Sequence, residues 1–167
     1  MKVNVNAIGL AAAIIALVSL ALPWWTITIS LLGTQSSLDA YTWGVRSTGI
    51  GRYLLPSNLA DWYRYTTLIL IIVGAILGLK GNVTVGRKGW TILAASGILI
   101  ILAAIIFVAG LATDPALTKA SPPISIFESK ESALGSISTY LNIGFFLAVT
   151  AAILASISLL KHPTASP

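Results

Sequence analysis

The feature that most constrains this chain is a set of long apolar stretches without charged residues. A helix rises about 1.5 Å per residue, so about 20 apolar residues are needed to cross about 30 Å of hydrocarbon. Each span must be helical, because an unpaired backbone amide in lipid costs several kcal/mol. The predicted spans cover residues 5–22, 65–80, 89–113 and 133–160, with external loops at about 23–64 and 114–132. We therefore predict one all-α membrane domain over residues 1–167, a four-transmembrane-helix bundle.

Composition supports a membrane protein. Hydrophobic residues make up 56% of the chain and charged residues only 9%, whereas soluble domains carry about one-quarter charged residues. Lys2 followed by an apolar region and small residues near Ala21 is also typical of a signal peptide. We interpret this first segment as a retained span.

The charged residues divide unequally between the two sides of the predicted bundle. If both termini and the turn at residues 80–88 share one side, that side carries only cations, which are Lys2, Lys80, Arg87, Lys88 and Lys161. The other side carries equal numbers of both signs, from Arg46, Arg52, Arg64, Lys119, Lys130, Asp39, Asp61, Asp114, Glu128 and Glu131. By the positive-inside rule we expect both termini in the cytoplasm, in a cell membrane crossed several times. The cations form no stripe with interleaved aromatics, which argues against a nucleic-acid partner.

The first external loop has a strand pattern. Trp-Thr-Ile-Thr-Ile-Ser-Leu alternates large apolar with hydroxyl residues, so Trp25, Ile27, Ile29 and Leu31 would share one face. The turn residues GTQSS follow, and LDAYTWGV can return as a partner strand. We predict a small extracellular β-hairpin or sheet from this loop, with residues 49–55 as a third strand and residues 124–127 as a short strand docked against it.

Aromatic and small residues mark the predicted boundaries and contacts of the spans. Tryptophan and tyrosine favour the membrane interface, and the predicted anchors are Trp24, Trp25, Trp62, Trp90 and Tyr140. Small residues at helical spacing let helices approach closely, and the predicted packing residues are Gly74, Gly78, Gly144, Ala148 and Ala152. These residues predict packing within the bundle or, alternatively, a dimer face.

The spans offer little chemistry. Between their ends they contain no charged residue, the only histidine is His162, and cysteine is absent. Paired-histidine haem ligation, metal sites and nucleophilic triads therefore lack their side chains. We predict no catalytic residue, cofactor or metal, and we identify no small-molecule substrate.

A few positions resemble a known family. The first span ends with Pro23, Trp24 and Trp25, the first loop contains Trp43 and Gly44, and Arg64 precedes the second span. This arrangement resembles the claudin and peripheral-myelin-protein superfamily of four-span proteins, which leave the first span through Pro-x-Trp. That family has Gly-Leu-Trp followed by two disulfide-bonded cysteines, whereas this chain has the reverse order and no cysteine. The resemblance implies an adhesion, barrier or membrane-organising role through external loops.

Two function classes follow. The first is a non-enzymatic structural, adhesion or assembly protein whose external loops bind another copy or a neighbouring protein, with Trp43, Arg64 and Phe127 as contact candidates. The second is an accessory, cofactor-free subunit of a larger membrane enzyme, such as a respiratory oxidoreductase. A small transporter or channel is a weaker third hypothesis. The expected partners are the lipid bilayer and either a homo-oligomer or other membrane proteins.

Overall fold

A computed structural model describes residues 6–49, 59–84, 86–120, 124–132 and 135–160. Lys2, Lys161, His162 and most of the predicted third strand at residues 49–55 lie outside these ranges. The helices are α1 (Ala7–Ser19), α2 (Asp61–Val83), α3 (Arg87–Ala112), the single turn α4 (Pro115–Thr118) and α5 (Ile143–Leu160). The strands are β1 (Trp25–Leu31), β2 (Thr34–Ala40), β3 (Val45–Thr48), β4 (Glu128–Ser132) and β5 (Gly135–Leu141).

The four longer helices pack in a closed ring. Helix α1 contacts α2 and α5, and α3 also contacts α2 and α5. Small residues such as Ala12, Ala16 and Ala103 are buried between them, whereas Ile69 and Ile98 point outward. Side chains also donate hydrogen bonds to backbone carbonyls, among them Ser96 to Gly74.

The five strands form one antiparallel sheet in the order β3-β2-β1-β5-β4. The central strand β1 pairs with β2 through a tight hairpin and with β5 from the far end of the chain. Its alternation of β-branched and hydroxyl residues favours a strand with one buried face, and Trp25, Ile27 and Ile29 are indeed buried.

The prediction of an all-α, four-span bundle is wrong, because this sheet is a major part of the fold. The sheet also does not come from the first loop alone, since β4 and β5 come from later in the chain. The proposed strand at residues 124–127 is likewise wrong in position, because β4 begins at Glu128.

The predicted fourth span at residues 133–160 fails for a local reason. Its first part, Gly-Ser-Ile-Ser-Thr-Tyr-Leu, forms β5, and the helix begins only at Ile143. This segment is uncharged, so hydropathy does not separate it from the helix that follows. Its alternation of small polar with larger residues is nevertheless typical of a strand.

The predicted first span at residues 5–22 also differs from the structure. Helix α1 has 13 residues, which cover about 20 Å, less than the thickness of the hydrocarbon core. After Ser19 the chain makes a tight turn, in which the N–H groups of Leu20, Ala21 and Leu22 donate to carbonyls three residues back. Pro23 then prevents the helix from continuing.

Three of the described helices are long and apolar enough to span a membrane. They are α2, α3 together with its extension into α4, and α5. Helices α2 and α3 include the predicted spans at 65–80 and nearly all of 89–113, and each continues beyond them at one end or both.

Candidate interaction surface

The sheet is attached to one end of the bundle by backbone hydrogen bonds. The N–H of Asn142 donates to the carbonyl oxygen of Trp24, and the N–H of Gly144 donates to that of Pro23, both at 2.9 Å. A Cβ at Gly144 would lie 2.6 Å from Cδ1 of Trp24 and 2.7 Å from the carbonyl oxygens of Leu22 and Pro23. The start of β1 and the start of α5 are therefore tied together at a site that accepts only glycine.

A buried carboxylate joins α2 to α3 at the same end. Asp114 Oδ2 accepts hydrogen bonds from the N–H of Ala60 (2.8 Å) and the hydroxyl of Tyr63 (3.1 Å). Its Oδ1 accepts from the N–H of Ala116 at 2.8 Å and so caps α4. Asp114 is buried yet fully hydrogen-bonded, which is how a buried charge is tolerated.

The guanidinium of Arg64 also makes its contacts within the protein. Its guanidinium pairs with Asp61 and donates to the carbonyl oxygens of Leu59 (3.3 Å) and Ala60 (3.5 Å). The side chain is buried. Arg64 therefore holds the segment that leads into α2, and its guanidinium makes these contacts inside the molecule.

Strand register divides the sheet into two chemically different faces. We call the first the apolar face, and its largest members are Trp25, Ile27, Ile29, Leu38, Ile137 and Leu141. We call the second the hydroxyl face. A single row across all five strands of this face consists of Thr48, Ser37, Thr28, Ser138 and Ser129.

Side chains on the hydroxyl face bond to one another. The hydroxyls of Ser37 and Thr48 are 3.0 Å apart. Thr26 donates to Asp39 at 2.8 Å and accepts from the amide of Asn142 at 2.7 Å. The face is thus a polar surface whose groups also satisfy each other, as expected for the solvated side of an antiparallel sheet.

The apolar face is covered near the bundle. The indole N–H of Trp25 donates to the carbonyl oxygen of Ile126 at 3.0 Å, and the hydroxyl of Thr139 donates to that of Ser125 at 2.8 Å. The segment at residues 124–127 therefore lies across this part of the face, and Ile27 beneath it is fully buried.

The same face is open at the end far from the bundle. A groove of about 620 Å³ lies there, lined by Ile29, Leu31, Lys130, Glu131, Gly135, Ser136 and Ile137. Its floor is apolar, and Lys130, which forms an ion pair with Glu128, lies on the same face.

The β1–β2 hairpin tip beside this groove is unusual. Leu32 has φ of 47°, the one positive φ recorded at a non-glycine residue in the described chain, and its side chain is 85% exposed. A left-handed conformation costs a residue with a Cβ about 1–2 kcal/mol. An exposed leucine held in this conformation is unfavourable for folding, and such strain clusters at functional sites.

A second depression lies beside the covering segment. It has a volume of about 470 Å³ and is lined by Ala112, Thr118, Ile124, Ser125, Ile126 and Phe127. The ring of Phe127 is largely exposed. This predicted contact residue is therefore accessible at the sheet end of the molecule.

The predicted interface aromatics fall into two groups. Trp24 and Trp25 are fully buried, and the Trp24 indole donates to the carbonyl oxygen of Ser19 at 2.9 Å while its ring contacts Phe107. Their rings thus contact protein. About half of each of the other side chains is exposed, namely Trp62, Trp90 and Tyr140.

Trp43, another predicted contact residue, is about half exposed beside α1. Its indole N–H donates to the carbonyl oxygen of Leu20 at 3.0 Å, and its ring packs against Tyr41 with centroids 4.9 Å apart. Hydrogen bonding therefore fixes the orientation of Trp43, the more exposed member of this aromatic pair.

The predicted packing residues lie at contacts within the protein. A Cβ at Gly74 would be 2.9 Å from Cγ1 of Ile100, and one at Gly78 would be 3.0 Å from Oγ of Ser96. Ala148 and Ala152 are buried on α5. These positions therefore support close approach of helices inside one molecule.

Ionisable groups are sparse. Among the described residues, histidine, cysteine and acidic side chains form no group of three or more that could hold a metal ion. The Glu128 carboxylate accepts hydrogen bonds from Lys130 and from the N–H of Ser125, and these hold its pKa below the usual range.

Leu32 and Asp114 were missed as site residues in the sequence. Leu-Leu-Gly between two strand patterns indicates a two-residue turn that places Leu32 in a left-handed conformation. Asp-Pro after a long apolar helix indicates an N-cap followed by proline at the first helical position. Both patterns predict the local backbone conformation, but neither shows that Leu32 is exposed or that Asp114 is buried.

Comparison with models of protein families finds no match, and comparison with curated protein sequences also finds no match.

Proposed function

We propose that this chain is a non-enzymatic integral membrane protein that acts as a structural, adhesion or assembly subunit through its sheet. The observation that carries the proposal is the open end of the apolar face. There the 620 Å³ groove adjoins an exposed, conformationally strained Leu32. Exposed apolar surface of this kind marks interaction sites in folded proteins.

Two features of the bundle support placement in a membrane. Its interior contains mainly small residues, while isoleucine and leucine face outward, because lipid provides no hydrophobic drive for helix association. The second feature is the distance between the exposed tryptophans at the two ends of the bundle. Trp62 is exposed near the start of α2, and its neighbour Tyr63 packs against Gly110, so Gly110 marks the level of Trp62 on α3. Gly110 and Trp90 are separated by about 30 Å along α3, which matches the hydrocarbon thickness.

We further propose that the sheet is external and that both ends of the chain are cytoplasmic. The Asn6 side chain, just before α1, donates to the carbonyl oxygen of Ser158 near the end of α5 at 2.9 Å. The described chain therefore starts and ends at the same end of the bundle, opposite the sheet. That end also contains Lys80, Arg87 and Lys88, as the positive-inside rule favours for the cytoplasm.

The groove favours an extended protein segment as partner. Ile29, Ile137 and Leu31 offer an apolar surface, and Lys130, which lies on the same face, can orient a polar backbone. The partner is a second copy of this chain or a neighbouring membrane protein. The resemblance of Pro23, Trp24 and Arg64 to the claudin and peripheral-myelin-protein superfamily is consistent with such a role.

Site-specific photocrosslinking in intact membranes tests this proposal. A photoreactive residue replaces Leu32 in one variant and Ser37, on the hydroxyl face, in the matched control. We expect a discrete protein adduct from position 32 and little from position 37. Absence of adducts at position 32, or equal adducts at both positions, would contradict a docking role for the groove.

The Leu32→Asn variant separates binding from stability. Asparagine tolerates the left-handed conformation better than leucine, so we expect the variant to be more stable by about 1 kcal/mol in thermal unfolding. Loss of the exposed leucine should at the same time reduce recovery of the partner by affinity purification after chemical crosslinking. A variant that is more stable and still recovers the same partner in the same amount would show that Leu32 takes no part in binding.

A second candidate function is that of an accessory subunit in a larger membrane enzyme. One observation favours it, which is an apolar groove of about 390 Å³ between α3 and α5, lined by Ile101, Val149, Ala152, Ile153, Ser156, Ile157 and Leu160. An apolar groove at this position offers a contact surface to side chains of another subunit's transmembrane helix. Comigration with a haem or flavin protein after mild solubilisation would support this function, and its isolation free of any such protein would exclude it.

A further inference from the structure

The end of the bundle opposite the sheet carries an exposed cationic patch. It consists of Lys80 in the last turn of α2 and of Arg87 and Lys88 at the start of α3, and all three side chains are exposed. We call these three residues the α2–α3 patch.

The two helices that carry these cations pack closely near their connection. At Gly81, next to Lys80, a Cβ would lie 2.8 Å from Cγ of Leu93 and 3.1 Å from its backbone nitrogen. Helices α2 and α3 are thus in contact within about two turns of their connection. The Thr84 hydroxyl also donates to the carbonyl oxygen of Lys80 at 2.7 Å, which fixes the end of α2.

These cations have no acidic residue near them. All five acidic residues of the chain are on the sheet or at the sheet end of the bundle, in β2, β4, the first residue of α2 and the cap of α4. Arg87 and Lys88 also lie in the first turn of α3, where a positive charge opposes the helix dipole. The patch is therefore unfavourable in isolation and would be stabilised by an anionic partner.

The patch also lies at the depth expected of lipid headgroups. Exposed Leu79 on α2 and exposed Trp90 on α3 lie next to the patch on the side nearer the sheet, and tryptophan favours the boundary between hydrocarbon and headgroups. Cations at this depth attract anionic lipids with about 1 kcal/mol per lysine or arginine.

We infer that Lys80, Arg87 and Lys88 bind the headgroups of anionic phospholipids in the leaflet opposite the sheet. The inference rests on the proposed membrane placement but not on the proposed partner at the sheet. It goes beyond that function, because it assigns a lipid preference to the other end of the molecule.

The test uses the full chain in detergent, titrated with phosphatidylglycerol or phosphatidylcholine and analysed by native mass spectrometry. The variant K80Q/K88Q removes two of the three cations of the patch. The matched control R46Q/K119Q removes two exposed cations from the sheet end and changes the net charge equally. We expect affinity for phosphatidylglycerol to fall about five-fold per cation removed from the patch, the equivalent of about 1 kcal/mol each.

The control variant should keep the affinity of the unmodified protein, and phosphatidylcholine binding should be the same in all three. Equal loss of phosphatidylglycerol binding in both variants would contradict the inference, because it would reflect net charge alone. Complete competition by inorganic phosphate would also contradict it, because free phosphate would then suffice. If K80Q/K88Q does not fold, K80Q and K88Q are measured singly, and an unchanged affinity in both would overturn the assignment.

Discussion

In the helical bundle the side chains buried between helices are mostly alanine and glycine, whereas in the sheet the buried side chains are tryptophan, isoleucine and leucine. Ala12, Ala16 and Ala103 are buried in the bundle, and Trp25 and Ile27 are buried in the sheet. The outer surfaces show the opposite difference. Large aliphatic residues surround the helices, and hydroxyl residues cover the hydroxyl face of the sheet. This difference is the one expected under the proposed placement, with the bundle in lipid and the sheet in water.

The comparison predicts that the largest loss of stability comes from a buried aromatic residue of the sheet. Replacing Trp25 by alanine removes a fully buried ring and its hydrogen bond to Ile126. We expect a loss of about 3–5 kcal/mol in the free energy of unfolding. Trp62→Ala is the matched control, because most of its side chain is exposed. Both variants are compared by thermal or denaturant unfolding in mild detergent. Similar losses of stability in both would contradict a core under the sheet that is stabilised by the removal of apolar side chains from water.

The bundle should respond more weakly to the loss of a large residue. Ile100 is 0% exposed and packs against Gly74, while Ile98, two positions away on α3, is 64% exposed. Replacing Ile100 by alanine leaves a cavity. If the unfolded helices remain in lipid, the side chain of Ile100 is not exposed to water on unfolding, so the substitution loses no hydrophobic stabilisation. We expect a cost of about 2 kcal/mol, at the lower end of the range for such substitutions.

Ile98→Ala provides the control within the same helix. Its side chain faces outward, so we expect a change within about 0.5 kcal/mol. The two variants are compared by thermal unfolding in the same detergent. A large loss from Ile98→Ala would indicate that this surface is covered by a partner and does not face lipid.

The junction of the two regions is tested by Gly144. Here a Cβ would meet two backbone carbonyl oxygens, which cannot move without displacing the start of β1. We expect Gly144→Ala to cost about 1–3 kcal/mol through overpacking. Gly44→Ala is the matched control, because a Cβ there meets no atom within 4 Å. Equal thermal stability of the two variants would mean that the sheet and the bundle are not rigidly joined.

The helices of the bundle are predicted from the sequence more accurately than the sheet, for physical reasons. Hydropathy identifies α2 and α3 well, because a helix that is able to span lipid is long and free of charge, and both properties can be read from a single stretch of sequence. It fails at β5, since Gly135–Leu141 is uncharged and its pairing with β1 depends on residues more than a hundred positions away. Strand pairing is a non-local property, and a single apolar window does not contain it.

The same limit applies to the candidate site. The alternation in β1 predicts which residues share a face, but it does not reveal that one end of this face is covered by residues 124–127 and the other is open. Trp24 and Trp62 are equally plausible interface residues in the sequence, yet one is buried and the other exposed. Burial of an aromatic ring depends on what packs against it, which is decided only by the tertiary fold.

The smallest expected effect is a pH dependence of stability that arises in β4, an outer strand of the sheet. The pKa of Glu128 lies below its usual range, chiefly because of its hydrogen bond with Lys130. A carboxyl whose pKa is lowered by folding stabilises the protein above its unfolded pKa, and this stabilisation is lost as the pH falls through the folded pKa. We therefore expect Glu128→Gln to lower Tm slightly at neutral pH and to leave it unchanged in acid. Glu131→Gln, which removes a carboxylate from the same strand, controls for the loss of charge. A Tm difference for Glu128→Gln that persists undiminished at low pH would show that the side chain acts through packing and not through its charge.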